Sequence, residues 1–166
     1  MLLPPGEFKA FLFDCDGTIA DSMPLHFRAW QEALAPHGAH FPKDLFLGWA
    51  GIPVPRTVEM LNEKFGHRMA PEVVAEAREE AYFALMPQVK AVPEVLEAIH
   101  AHHGKIPFAV VSGSPRASVI RTLDFLGLRD RFETIVGGDD SPRGKPHPDP
   151  FLLAASRLQV RPEDCL

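Results

Sequence analysis

The sequence predicts an α/β protein built on a doubly wound, Rossmann-like parallel sheet, and three short apolar runs carry that prediction. The runs span residues 9–13, 106–111 and 132–136, and turn residues flank them. Such runs are typical of strands that are buried on both faces of a parallel sheet. Helical patterns follow the second and third runs, and this alternation predicts parallel strands joined by crossover helices.

A long helical region interrupts the alternation after the first strand. Four patterns with apolar residues at helical spacing follow one another there, without an intervening strand. Glycine or proline stands near the end of each pattern, as expected at helix ends. We therefore predict a discontinuous α/β core of residues 1–20 and 89–166, with a small four-helix cap of residues 21–88 inserted into it.

Two helices of the predicted core have recognisable starts. Ser114 is expected to cap a helix that has Pro115 at its first position. Pro150 is expected to begin the last helix, in which Phe151 and Leu152 are predicted to face inward.

Composition and charge narrow the class of protein. The chain has 166 residues, of which 46% are hydrophobic and 23% charged, which is enough for a sizeable core. Its net charge is −5 and no basic stripe is present, so no nucleic-acid partner is expected. The spacing of Cys15 and Cys165 predicts neither a zinc site nor a disulfide framework. No signal peptide or membrane span is recognisable, so we expect a cytoplasmic protein without a membrane partner.

Two carboxylates stand where the first predicted strand ends. Asp14 and Asp16 precede Gly17, and Thr18 follows. Ligands of open α/β sheets bind at the carboxyl ends of the strands. The pair therefore indicates a catalytic or metal-binding edge, and a solvated acidic turn is the alternative.

The other two strands are also followed by residues that suit phosphate chemistry. Ser112 and Gly113 offer a hydroxyl and a backbone amide at a helix start, which suits a phosphate cradle, and simple helix capping is the alternative. Lys145 lies in a proline-rich loop after the third strand, where a plain surface lysine is the alternative. Because the carboxyl ends of parallel strands share one sheet edge, these residues and the acidic pair are expected to meet.

The order of these motifs resembles the haloacid dehalogenase-like superfamily. The resemblance rests on DxDGT at Asp14, a strand ending in Ser112, and Lys-Pro-x-Pro-Asp at Lys145. A helical insertion directly after the first motif is similar to the subclass with a small helical cap. The residues around His26, together with Arg56, resemble the beta-phosphoglucomutase-like branch and its sugar phosphatases.

The resemblance implies a role for each motif residue. Asp14 would be the nucleophile that forms a phospho-aspartate, and Asp16 the general acid and then the base. Both aspartates would help to hold Mg²⁺, Asp16 through its backbone carbonyl. Ser112, Gly113 and Lys145 would hold the transferring phosphoryl group. A halide leaving group needs no proton, so the acid at position 16 argues against dehalogenation.

The resemblance also implies cap residues that face a small phosphorylated sugar. These are His26, Arg56 and Arg78. A solvated helix charge is the alternative for Arg78, and an outer-face position is the alternative for His26.

The fourth motif of such relatives, an acidic pair that supplies a metal carboxylate, has no counterpart before Leu166. Residues 162–166 look like the lead-in to the strand that would carry this motif. We therefore expect the last core strands to be missing and the chain to belong to a longer protein. Without them, Phe11 and Phe13 would lie on an exposed edge strand. A monomer is expected if the chain is complete.

The function predicted from the sequence is Mg²⁺-dependent hydrolysis of small sugar phosphates through a phospho-aspartate on Asp14. A beta-phosphoglucomutase is the first alternative, because it would use the same residues. A catalytically silent fragment is the second, because of the absent fourth motif.

Overall fold

The computed structural model describes residues 6–166. Its strands are β1 (Phe11–Phe13), β2 (Phe108–Val111) and β3 (Thr134–Val136). Its α-helices are α1 (Met23–Leu34), α2 (Lys43–Gly48), α3 (Val54–Phe65), α4 (Pro71–Leu85), α5 (Pro93–His102), α6 (Arg116–Phe125) and α7 (Asp149–Leu158). Short 3₁₀ turns are found at Ala35–His37, Met86–Gln88, Arg129–Arg131 and Pro162–Asp164.

The chain divides into two compact units. The α/β unit contains the described residues up to Asp21 together with Lys90–Leu166, and the helical unit is Ser22–Val89. Across the part of the chain that the structure describes, no helix has both the length and the apolar character needed to cross a membrane.

The sheet of the α/β unit is parallel, with β2 in the middle. Phe11 pairs with Phe108 on one side of it, and Val110 pairs with Ile135 on the other. The strands are shorter than the apolar runs that predict them. The predicted α/β fold with a parallel sheet is confirmed.

Helices cover both faces of this sheet. Side chains alternate along a strand, so Phe108 and Val110 point to one face and Ala109 and Val111 to the other. The first face packs against α5 and α6 through Val95, Ile99, Val119 and Leu123. The second packs against α7 through Ala154, so the sheet is wound on both sides as predicted.

Residues near the end of the chain line the outer edge of β1. The amide of Lys9 donates to the carbonyl of Asp164 at 2.8 Å, and that of Leu12 donates to Leu166 at 2.7 Å. Phe11 and Phe13 are buried among the aromatic side chains of the first face. The two side chains are therefore not exposed at a sheet edge, because the pleat directs them under α5 and α6.

Two predicted helix features differ in the structure. The helix after Ser114 begins one residue late: Pro115 has an extended ψ of 141°, so α6 starts at Arg116. In α7, Phe151 and Leu152 are exposed instead of buried. The inner stripe of α7 consists of Pro150, Ala154 and Ala155, because small residues let the helix lie close to the sheet.

The helical unit has its own core. Trp30 of α1 meets Phe41 edge to face at 5.3 Å, and Leu61 of α3 is fully buried beside them. Gly66 ends α3 with a left-handed φ of 73°, and its amide donates to the carbonyl of Asn62. Glycine adopts this conformation without a steric penalty, which explains the sharp stop predicted there.

The central strand should carry much of the stability of the α/β unit. Phe108 is fully buried and stacks parallel to Phe11 at 5.8 Å. We expect Phe108→Ala to lower the free energy of unfolding by about 3–5 kcal/mol, because it leaves a cavity between aromatic neighbours. Phe125→Ala is the matched control, since that ring is 48% exposed and should cost under about 1 kcal/mol. Equal effects in urea unfolding would contradict this account of the core.

Candidate active site

Asp14 follows β1 directly, and two donors hold its carboxylate. Its Oδ1 accepts a hydrogen bond from the backbone amide of Cys15 at 2.8 Å and lies 2.9 Å from Nζ of Lys145. Its side chain is 43% exposed, so an incoming ligand can reach it. The carboxylate is therefore both oriented and accessible, as a nucleophile or a metal ligand must be.

Lys145 is held between two strand ends. Besides the ion pair with Asp14, its Nζ donates to the carbonyl of Val111, the last residue of β2, at 3.3 Å. Its loop is closed by Arg143, which donates two hydrogen bonds of 2.9 Å to Asp149 at the start of α7. The hydrogen bonds from Arg143 hold the pKa of Asp149 below its ordinary value. The ammonium group is thus fixed beside Asp14.

Ser112 lies at the end of β2, inside the loop that leads to α6. Its amide donates to the carbonyl of Val136 at 2.9 Å, and its Oγ accepts from the amide of Ser114 at 3.0 Å. Gly113 stands between these serines. The loop therefore lies at the same sheet edge as Asp14, but phosphate binding by Ser112 and Gly113 stays a prediction.

Asp16 lies in a tight turn after Asp14. Gly17, with a φ of 77°, donates its amide to the carbonyl of Ala20 at 2.8 Å and closes that turn. Oδ2 of Asp16 accepts a hydrogen bond from Oγ of Ser114 at 2.7 Å. The structure therefore joins the first motif to the loop after β2 through a side-chain contact.

Cys15, between the two aspartates, is not a competing nucleophile. Its side chain is buried, and burial raises the pKa of its thiol. A thiol attacks only as its thiolate, so Cys15 stays protonated and inert.

A turn after β3 braces the loop that carries Ser114, and the sequence prediction missed it. The amide of Gly138 donates to the carbonyl of Ser114 at 2.8 Å. Asp139 accepts from the amide of Arg116 at 2.7 Å and so caps α6, the role that was predicted for Ser114. Only the Gly-Gly-Asp-Asp sequence after a strand could have signalled this turn, and it reads as an ordinary loop.

The two glycines of this turn have no room for a side chain. A Cβ at Gly138 would lie 2.3 Å from the carbonyl oxygen of Gly113, and one at Gly137 would lie 2.3 Å from the amide nitrogen of Arg116. The loop of Ser112, Gly113 and Ser114, called the serine loop below, therefore contacts this turn backbone to backbone.

In the helical unit, two predicted residues form one buried cluster. Arg78 of α4 donates to Nδ1 of His26 of α1, and the His26 ring stacks on Tyr82 with centroids 4.0 Å apart. Arg78 also pairs with Glu79 at 3.2 Å. His26 and Arg78 are 5% and 8% exposed, so neither is a solvated surface group.

Arg56 has a different environment. It lies in the first turn of α3 with its side chain 51% exposed, and it pairs with Glu59 at 2.8 Å and Glu63 at 3.3 Å. The hydrogen bond to Glu59 is the main cause of a raised pKa for its guanidinium group. A role toward substrate would require Arg56 to exchange these partners.

The aspartate pair offers only oxygen donors to a metal. Within residues 6–166, no cluster of three or more His, Cys, Asp or Glu side chains has the geometry of a metal site. Magnesium does not require three protein side chains, because it keeps several waters and is commonly bound by one or two carboxylates together with substrate phosphate. The donor set of Asp14 and the turn at Asp16 therefore suits Mg²⁺ in chemistry.

Comparison with known proteins identifies the class. The model of the haloacid dehalogenase-like hydrolases matches residues 8–166, nearly the whole chain. The chain therefore belongs to the haloacid dehalogenase-like hydrolases, as the motif order predicted.

Individual relatives agree with this class. The fructose-1-phosphate phosphatase YqaB of Escherichia coli is 33% identical over 161 residues, which cover 96% of this chain and 85% of the relative. A phosphorylated carbohydrates phosphatase of Thermotoga maritima is 30% identical over 159 residues, which cover 93% of this chain and 73% of the relative. The structure of a beta-phosphoglucomutase from Clostridium difficile aligns with a TM-score of 0.83 over 95% of this chain and 74% of that one. Its 24% identity shows the shared fold alone.

The contact between the two loops yields a test. We expect Gly138→Ala to lower turnover about 100-fold, because its Cβ would displace Gly113 and misplace the serine loop by a fraction of an ångström or more. Gly48→Ala is the control, since no described heavy atom outside its own helix and chain neighbours lies within 4 Å of a Cβ there. Full activity of the Gly138 variant, measured as phosphate release, would contradict the bracing role.

Proposed function

We propose that the protein is a Mg²⁺-dependent phosphohydrolase of small sugar phosphates that works through a phospho-aspartate on Asp14. The observation that carries this proposal is the accessible Asp14 carboxylate, held at 2.9 Å by Lys145 at the carboxyl edge of the sheet. In a hydrolase of this family, that arrangement suits attack on a phosphate ester.

The residues divide the reaction into two displacements. A carboxylate oxygen of Asp14 forms a bond to phosphorus while the bond from phosphorus to the sugar oxygen breaks, and Asp16 gives that oxygen its proton. Water then attacks phosphorus and gives a proton to Asp16, while the bond between phosphorus and the Asp14 oxygen breaks. Phosphate leaves, Asp14 is again a carboxylate, and Asp16 is again protonated. Lys145 neutralises charge on the phosphoryl oxygens, and Ser112 with the amide of Gly113 orients them.

Hydrolases of this family generally use Mg²⁺. Held by the Asp14 carboxylate and the Asp16 backbone carbonyl, the ion would offset the repulsion between the carboxylate and the phosphate dianion. Lys145 contributes in the same direction, because its ammonium group already faces Asp14.

The proposed substrate class rests on the relatives. One is named for fructose 1-phosphate and another for phosphorylated carbohydrates. We propose that the helical unit acts as the cap that selects the sugar, with His26, Arg56 and Arg78 as its selecting residues. The buried hydrogen bond between Arg78 and His26 supports a structured polar element in that unit.

The nucleophile gives a direct test. We expect Asp14→Asn to reduce phosphatase turnover by at least about 1,000-fold, because the amide oxygen cannot attack phosphorus. The isosteric change should leave the unfolding midpoint nearly unchanged. Asp124→Asn, an exposed position on α6, is the control and should retain full activity. Activity of more than a few per cent in the Asp14 variant would refute the assignment.

Substrate choice is tested by phosphate release across a panel of metabolites. We expect sugar phosphates, fructose 1-phosphate among them, to be hydrolysed with higher kcat/KM than nucleotides or phosphopeptides. A nucleotide preference would contradict the substrate class. Conversion of beta-glucose 1-phosphate to glucose 6-phosphate without phosphate release would instead identify a mutase.

A further inference from the structure

We infer that Ser114 is a positioning residue whose hydroxyl holds Asp16 in the orientation for proton transfer. This inference rests on the proposed function, because it assigns Ser114 a role through the acid–base residue of that reaction. Ser114 lies just before α6, where the sequence predicts only a helix cap.

The geometry gives Ser114 three connections of different kinds. Its amide donates to Oγ of Ser112 at 3.0 Å, and its carbonyl accepts from the amide of Gly138 at 2.8 Å. Its Oγ donates to Oδ2 of Asp16 at 2.7 Å. Ser114 therefore links the loops after β1, β2 and β3.

Two of the three hydrogen bonds use the backbone of Ser114, and the third uses its side chain. Both bonds that place Ser114 use its main chain, and they would persist in an alanine variant. The bond to Asp16 uses only the hydroxyl. The side chain is therefore not needed to hold the loop, and its removal should act on Asp16 alone.

The helix-cap alternative does not account for the hydroxyl. Asp139 accepts from the first amide of α6, and Pro115 separates Ser114 from that helix. The hydroxyl instead donates to Oδ2 of Asp16 at 2.7 Å, which leaves Oδ1 to carry the proton that the general acid transfers. This short hydrogen bond restricts the torsions of Asp16.

The orientation of Asp16 matters because this residue is proposed to act as the general acid and then the base. A general acid must lie within hydrogen-bond reach of the oxygen that it protonates. An aspartate that rotates between several positions spends less time in reach. Loss of the Ser114 hydroxyl should therefore slow those steps in which Asp16 moves a proton, and leave phosphoryl binding intact.

The test is a double-mutant cycle in the full-length protein with Mg²⁺. Ser114→Ala is made in the wild type and in Asp16→Asn, and the first turnover is followed with fructose 1-phosphate and with p-nitrophenyl phosphate. We expect Ser114→Ala alone to slow sugar release about 10-fold, with KM unchanged. In the Asp16→Asn background it should cost less than about 2-fold, because the hydroxyl then has no acid–base group to orient.

The aryl substrate separates positioning from loosening of the loop. Nitrophenolate leaves without a proton, so Ser114→Ala should barely slow its release. Ser114→Thr, which keeps the hydroxyl, should recover most of the rate with the sugar phosphate. Ser156→Ala, an exposed position on α7, is the matched control and should match the wild type.

Equal losses in the two backgrounds, or with the two substrates, would overturn the role of Ser114 while leaving the phosphatase proposal intact. If Asp14→Asn does not reduce turnover, the proposed function is overturned, and the role of Ser114 with it.

Discussion

Parallel pairing of β2 with both of its neighbours is the constraint on which the site depends. It brings the ends of three strands to one edge, so that residues far apart in the sequence meet there. The Lys145–Asp14 ion pair is the direct consequence, because its partners follow β3 and β1. The aromatic layer around Phe108 and the alanine contact of α7 hold this sheet from its two faces.

Backbone contact at the sheet edge sets the precision of the site. The Gly137–Gly138 turn contacts the serine loop with no space for a Cβ, and the amide of Gly138 donates to the carbonyl of Ser114. Asp139 then ties the same turn to the start of α6. Backbone groups have fewer torsions than side chains, so a loop held in this way is well placed to orient groups around a phosphoryl transfer.

The helical unit and the α/β unit are stabilised in different ways. The α/β unit depends on strand pairing and aromatic stacking, while the helical unit has its own apolar core and a polar cluster of His26, Arg78 and Tyr82. A polar cluster buried in a small unit costs desolvation, and the hydrogen bond and ring stacking within it offset that cost.

The sequence by itself determined the fold class, the family and the residues of the motifs. Apolar runs followed by Asp14, Ser112 and Lys145 are local signals, and strand and helix periodicity depends on neighbouring residues. Only the tertiary structure decided that Ser114 binds Asp16 and that Asp139 caps α6. Likewise it decided that Ala154, and not Phe151 or Leu152, faces the sheet. Each of these outcomes depends on contacts between residues distant in the chain, which local patterns do not encode.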